Sequence, residues 1–478
     1  MQRRHFLQLA AAGGLVVTAP TILSRKANAE GPYAGPLLIS VNAPGGWDPT
    51  NLCDPKGGVE KDKKTINQTF GADKIGTAGN HRFAPHGIVG ETDGGTAEFY
   101  SHKRFFETYK DRLVCFNGVD TETNNHETGS RTVWSGGSAE NRASLGAVLA
   151  ATAAAGGNTV PLAYLSAGGY DNTGGLVSLT RANDIDTMKR IAYPDSGDIN
   201  ELNESRYHPD VAWDRLNQAR QARLERQMGA ATLPTHKAAL GTLFAARGAS
   251  PEVRRLFESS ELGGDFKLFK RDTLPGPDGQ AGYLNQFKDA GRFDPVIRFA
   301  AQAQIALLAF KSGVGAAANL SFGGFDTHDD HDNRHIPQLV MLLRGLDLIW
   351  LQAAAWGVAD RLVVVVGSDF GRTPTYNDGN GKDHWNITSM LVMANAAGAS
   401  SMGITKLGQT IGATTAEFKA EPVDPTSGAA QIGAPQSDTT TRITPSMIHR
   451  ELRKVLKVAD PGADFGLSGK YSPPLLTG

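Results

Sequence analysis

Apolar residues fall along this chain in two alternating rhythms. Short continuous runs, Leu37 to Val41, Leu113 to Phe116, Leu162 to Leu165, Ala318 to Phe322 and Leu362 to Val366, predict strands buried on both faces. Longer stretches repeat at helical spacing. One covers 294–311 and stops at Gly313; the other covers 336–356, with apolar residues at 336, 339, 340, 343, 346, 349, 350 and 353. Strand and helix alternate, which implies an α/β fold with a mostly parallel central sheet.

Between these elements the pattern changes. From Asp210 to about Leu262 the chain is strongly helical, predicting a helical insertion over about 205–290, and its Arg/Glu alternation marks a solvated face. Positions 51–95 are polar, glycine-rich and aperiodic, which predicts a long loop carrying His81 and His86 at the surface. Residues 387–396 are a further apolar segment, 408–441 are polar and irregular, and Ile443 to Leu456 is a short helix entered through Thr-Pro.

The apolar runs end alike. The first leads into Gly45-Gly46-Trp47-Asp48, the third into Gly168-Gly169-Tyr170-Asp171 and the fourth into Gly323-Gly324-Phe325-Asp326. The spacing is too irregular for a solenoid. Separate strands each presenting an aspartate from one sheet edge account for it, and that edge is where open α/β sheets bind ligands. Asp369, directly after the run 362–366, belongs to the same set.

The stretch from Ser321 to His335 holds three histidines and four aspartates. Imidazole with carboxylate suits Zn²⁺ or Mn²⁺ better than the all-oxygen cage of Ca²⁺. Asp326 and His328 read as ligands; Asp329, Asp330 and Asp332 read as acidic groups capping the helix that follows. Two other loops carry chemistry. Asn117 to Arg131 crowds Thr123, Asn125, His126, Thr128, Ser130 and Arg131 into one turn, fit for a nucleophile, an anion cradle or plain capping. Gly381-Lys382-Asp383-His384-Trp385 places a histidine shortly after Asp369.

Charge and termini narrow the class. With 48 Lys+Arg against 49 Asp+Glu there is no basic surplus, which argues against nucleic-acid binding. Arg3-Arg4, a short apolar stretch from Leu9 to Pro20 and an ending at Ala27-Asn28-Ala29 predict a twin-arginine signal over 1–29, cleaved after Ala29. No later run reads as long and apolar enough to cross a bilayer. The mature domain, 30–478, is therefore expected to be soluble, without a stable membrane anchor, and periplasmic or secreted. Cys53 and Cys115 are consistent with a disulfide or with two buried thiols.

The order of motifs resembles the alkaline phosphatase superfamily, which includes sulfatases. More closely, Gly-Gly-Trp-Asp48, Gly-Gly-Phe-Asp326-Thr-His328, Ser-Asp369-Phe-Gly-Arg372-Thr-Pro and Gly-Lys-Asp-His384-Trp resemble the exported family catalogued as domain of unknown function 1501. The resemblance implies an alkaline-phosphatase-like three-layer sandwich and divalent metal ions, up to two. Asp48 and Asp369 would hold one ion, and Asp326, His328 and His384 the other. A small anionic phosphate or sulfate ester would be the substrate. Arg372, Lys382 or Arg131 would steady its oxygens, and Asn125, His126 and Thr128 would occupy the catalytic turn. Asp369-Phe370 departs from the superfamily's Asp-His pair, and no hydroxyl stands at its nucleophile position. A non-catalytic protein on the same fold, serving an exported protein partner, is the alternative reading.

Overall fold

The structure is a computed structural model. It describes residues 33–155, 160–181, 185–193, 195–198, 207–233, 268–434, 442–458 and 472–478, with single positions 237, 240 and 467. The signal segment 1–29 and, within the predicted insertion, positions 234–267 apart from 237 and 240 lie outside the described residues.

Eight strands form the central sheet: β1 (Leu37–Asn42), β2 (Leu113–Asp120), β3 (Tyr164–Ser166), β4 (Leu179–Arg181), β5 (Ala317–Ser321), β6 (Leu362–Gly367), β7 (Ile387–Met393) and β8 (Gln409–Ile411). Their spatial order is β4-β3-β5-β1-β6-β7-β2-β8. All pairings are parallel except those of β7, which runs antiparallel to both β6 and β2. β1 sits at the centre, with Ile39 opposite Ala318 on one side and Val364 on the other. Every residue of β1 and β6 is buried, as continuous apolar runs require of strands covered on both faces.

The helices used below are α1 (His102–Tyr109), α2 (His126–Ser135), α3 (Leu145–Ala155), α4 (Asp210–Ala230), α5 (Asp294–Lys311), α6 (His331–Ala355) and α7 (Pro445–Val455). α5 packs on β5 and on α6, which also meets α1; α3 packs on β1 and β5, and α7 on α2 and α3. The result is a mixed α/β domain with a large, mostly parallel sheet at its centre.

Three expectations need correction. Residues 51–101 are not one loop. They fold into three two-stranded ribbons, Glu60–Lys61 with Lys64–Thr65, Gly76–Ala78 with His81–Phe83, and Gly87–Thr92 with Gly95–Ser101. His81 and His86 are buried rather than at the surface, because each ring finds polar partners inside: His81 bonds the Lys110 carbonyl and Thr410, and His86 the side chain of Asn51. Burial pushes the His86 pKa down to about 4. Two later helices do reach the length and apolarity of a membrane span, Ala290–Lys311 and His331–Ala355, each with mean hydropathy 1.2. Both are mostly buried against the sheet and each other, so their apolar residues serve the core. Cys53 and Cys115 are free thiols, both buried.

Because Ile39 is fully buried between two neighbouring strands, Ile39→Ala leaves a cavity at the sheet centre. Chemical denaturation should show a loss of about 2–5 kcal/mol.

Candidate metal centre

The repeated Gly-Gly-aromatic-Asp motif follows three adjacent parallel strands, β1, β5 and β3, so all three aspartates emerge at one edge. The glycines make the turn. Gly45 and Gly46 have φ of 115° and 79°, Gly168 and Gly169 have 129° and 78°, and Gly324 has 102°, a region only glycine enters freely. The three carboxylates nevertheless meet different fates.

Asp326 is the convergence point. Its Oδ1 lies 3.0 Å from His328 Nε2, 3.4 Å from His384 Nε2 and 3.7 Å from His126 Nε2, and accepts a 2.5 Å bond from Arg372. His328 Nε2 and His384 Nε2 are themselves 3.0 Å apart. Half of the Asp326 side chain remains exposed, so the cluster is open to solvent. Burial would raise the Asp326 pKa, but the bond and charge of Arg372 outweigh it and hold the carboxyl below its ordinary value.

Each imidazole is held from behind. His126 Nδ1 is 2.5 Å from Asp369, His328 Nδ1 is 2.9 Å from Asp383, and His384 Nδ1 is 2.8 Å from the Asn124 carbonyl. A carbonyl can only accept, so His384 carries its proton on Nδ1 and turns a lone pair of Nε2 inward. The bond from His328 holds the Asp383 pKa below its ordinary value, so Asp383 accepts the Nδ1 proton of His328. Two Nε2 atoms 3.0 Å apart with inward lone pairs repel unless a proton or a cation lies between them. Histidine ligands of metals show this outward Nδ1 hydrogen bond. Ligand atoms around tetrahedral Zn²⁺, each about 2.0–2.1 Å from the ion, stand roughly 3.4 Å apart. The triangle of Asp326, His328 and His384, with sides of 3.0, 3.0 and 3.4 Å, fits that spacing. His126, Asp326 and His384 also offer ligand atoms within 4.8 Å of one another.

Asp369 stands one hydrogen bond behind this cluster. It accepts backbone N–H bonds from Gly45 and Gly46 and the hydroxyl of Ser368, and its other oxygen holds His126. That bond comes first among the causes raising the His126 pKa. Phe370 packs its ring 4.7 Å from His126 and 4.4 Å from His384. The position expected to hold an imidazole instead supplies an apolar wall that fixes two others.

Asp48, expected beside Asp369 as a ligand, is engaged by protein donors instead. It is fully buried, and all its oxygen capacity is taken: Thr50 donates twice to Oδ1, and Asn51, His331 and Lys382 donate to Oδ2, Lys382 at 2.7 Å. A carboxylate with five donors, a buried ammonium among them, has neither a free lone pair nor a charge to offer a metal. Burial alone would raise its pKa, but Lys382 and His331 outweigh it and hold the carboxyl well below the ordinary range. The neighbouring imidazoles complete a loop. The Asp48 N–H donates to His335 Nε2, so His335 Nδ1 donates to Thr327; the Thr327 hydroxyl donates to His331 Nδ1, and His331 Nε2 donates to Asp48. Burial lowers the pKa of both imidazoles, in keeping with neutral rings.

The remaining expected residues are structural here. Asn125 caps α2 by accepting the Thr128 N–H, so Thr128 contributes a backbone donor. Arg372 is fully buried and donates to the carbonyls of Gly45, Gly46 and Lys382 as well as to Asp326. Asp329 pairs with Arg334, Asp330 accepts from Asn333, and Asp332 accepts from Tyr376, so none joins the cluster. Asp171 pairs with Ser166 and Arg181. Asp383 and Asn124 are the participants that sequence reasoning assigned no role; adjacency to His384 was the signal for Asp383.

The profile of a family described as "Protein of unknown function (DUF1501)" matches residues 36–431. The chain belongs to this family. That span of the DUF1501 protein includes every strand of the sheet and every side chain of the cluster. No match was found among curated proteins.

Lys382→Met should strand the Asp48 carboxylate in the interior and destabilise the fold by about 3–5 kcal/mol in chemical denaturation. Pairing it with Asp48→Asn should return much of that loss. Because the folded Asp48 pKa is depressed, its contribution is complete above the unfolded value near 3.8 and is lost as pH falls through the lower folded value. Acid unfolding of the double variant should therefore be shallower than that of the natural chain.

Proposed function

We propose that this DUF1501 protein is a periplasmic or secreted, metal-dependent hydrolase of phosphate or sulfate esters, exported by the twin-arginine route and built as an alkaline-phosphatase-like three-layer sandwich. One observation carries the reading: the Nε2 atoms of His328 and His384 face each other at 3.0 Å beside Asp326, with both Nδ1 atoms held outward. Asp326, His328 and His384 are the ligands, and their nitrogen-rich set favours Zn²⁺ over Mn²⁺. A single ion per chain is proposed, since Lys382 neutralises the carboxylate that a second would need. Such an ion polarises an ester oxygen as a Lewis acid and lowers the pKa of water.

The chain's own residues supply the rest. Asp326 attracts the ion, and Arg372, fully buried and 2.5 Å from Asp326, holds that carboxylate in place. His126 is held by Asp369 with a raised pKa, which suits it to protonate a departing alkoxide. With no hydroxyl bonded into the cluster among the described residues, water is the nucleophile.

Metal analysis of the purified chain should find one Zn²⁺ per molecule. His384→Ala or Asp326→Ala should abolish both retention and turnover of phosphate or sulfate esters, while Asp332→Ala should leave both intact. A chain that holds no metal and cleaves neither ester class would instead support the non-catalytic assembly reading. Asp369→Asn should lower activity about 10–100-fold. As a general acid, His126 loses activity as pH rises through its folded pKa. Removing the carboxylate that raises that pKa should move the alkaline limb of the rate profile to lower pH.

A further inference from the structure

A cleft of about 210 Å³ opens on the other side of Asp369. Its walls come from the turns after β1 and β3 and from one face of α2, where Glu127, Ser130 and Trp134 recur at helical spacing. Those residues share the helix with His126, and Asp369, which lines the cleft, bonds His126 Nδ1, so the cleft adjoins the Asp326 cluster.

Three properties define what fits. First, its size is below the roughly 300–1,000 Å³ of a pocket for a drug-sized ligand, which suits one ring rather than a chain. Second, its charges balance. Glu127 and Asp369 line it, but Arg131 lies 3.8 Å from Glu127, His126 holds Asp369, and the charges of Arg131 and Arg142 both act on the Tyr170 hydroxyl. No lysine or arginine is among the lining residues, so neither an anion nor a cation has an uncompensated partner there. Third, apolar and polar surfaces alternate. Tyr170 donates its hydroxyl to the Arg142 carbonyl at 2.6 Å, which fixes its ring as a wall beside Trp134, while Ser130 and Glu127 place a hydroxyl and a carboxylate at the rim.

We propose that this cleft binds a neutral, polyhydroxylated ring, a monosaccharide unit, as the alcohol half of the ester cleaved at the neighbouring centre. The apolar face of the ring lies against Tyr170 and Trp134, and its hydroxyls bond Glu127 and Ser130. The substrate class then becomes a sugar phosphate or sugar sulfate. This rests on the hydrolase reading for its meaning, but binding by the cleft does not require the metal.

The test is calorimetric titration of the full mature chain, metal-loaded and chelator-stripped, with methyl hexopyranosides of glucose, galactose and mannose. Cyclohexanol and choline serve as the apolar and cationic counterparts. At least one hexoside should bind both forms of the protein and outcompete both counterparts. Tyr170→Ala and the surface change Glu127→Gln should each weaken it at least tenfold. Cyclohexanol or choline binding as tightly as the best hexoside, no hexoside binding, or indifference to Glu127→Gln would overturn the proposal. Hexoside binding that persists in a chain without metal or esterase activity would sink the hydrolase reading and leave the cleft assignment standing.

Discussion

A single buried guanidinium joins the loops of this site. Arg372 donates to the Gly45 and Gly46 carbonyls after β1, to the Lys382 carbonyl before His384, and to the Asp326 carboxylate after β5. Asp369, three residues earlier on the same turn, takes the N–H groups of that glycine pair. The Gly45-Gly46 peptide is thus held from both sides by charges of opposite sign. A fork of donors with fixed geometry can satisfy several carbonyls at once, which a flexible ammonium does less well. Sequence neighbours of the clamp therefore become spatial neighbours of the Asp326 cluster.

Around that clamp two charge regimes lie side by side. The Asp48 and Lys382 pair has no solvent exposure and is closed by the His335, Thr327 and His331 loop, so all its polar capacity is internal. The Asp326 cluster faces solvent and converges four basic groups on one oxygen. A satisfied network rigidifies and an open one can receive a ligand. The Thr327 backbone couples them, since the Lys382 N–H bonds its carbonyl. The glycine beside Lys382 permits this approach: a Cβ on Gly381 would lie 1.8 Å from the His328 carbonyl oxygen.

Much of the frame was legible as a pattern. Helix 294–311 coincides with its sequence expectation, and the apolar runs fall on the strands that form the middle of the sheet. Helix α6 begins five residues before the expected 336, because His331 and His335 face inward as polar members of a buried network that an apolar count overlooks. The first two ribbons of 51–101 were missed for a related reason: two- and three-residue strands leave no measurable alternation.

The residues themselves determined the class of the site. Imidazoles and carboxylates placed just beyond buried strands gather at the carboxyl edge of a mostly parallel sheet, whatever the details of packing. Tertiary structure alone decided which carboxylate is free. Asp48, Asp326 and Asp171 follow near-identical motifs, yet one is consumed by Lys382, one gathers histidines and one pairs with Arg181. For Asp48 that outcome depends on Lys382, which arrives at 2.7 Å from 334 positions away, and a pairing over that separation leaves no local trace in the chain.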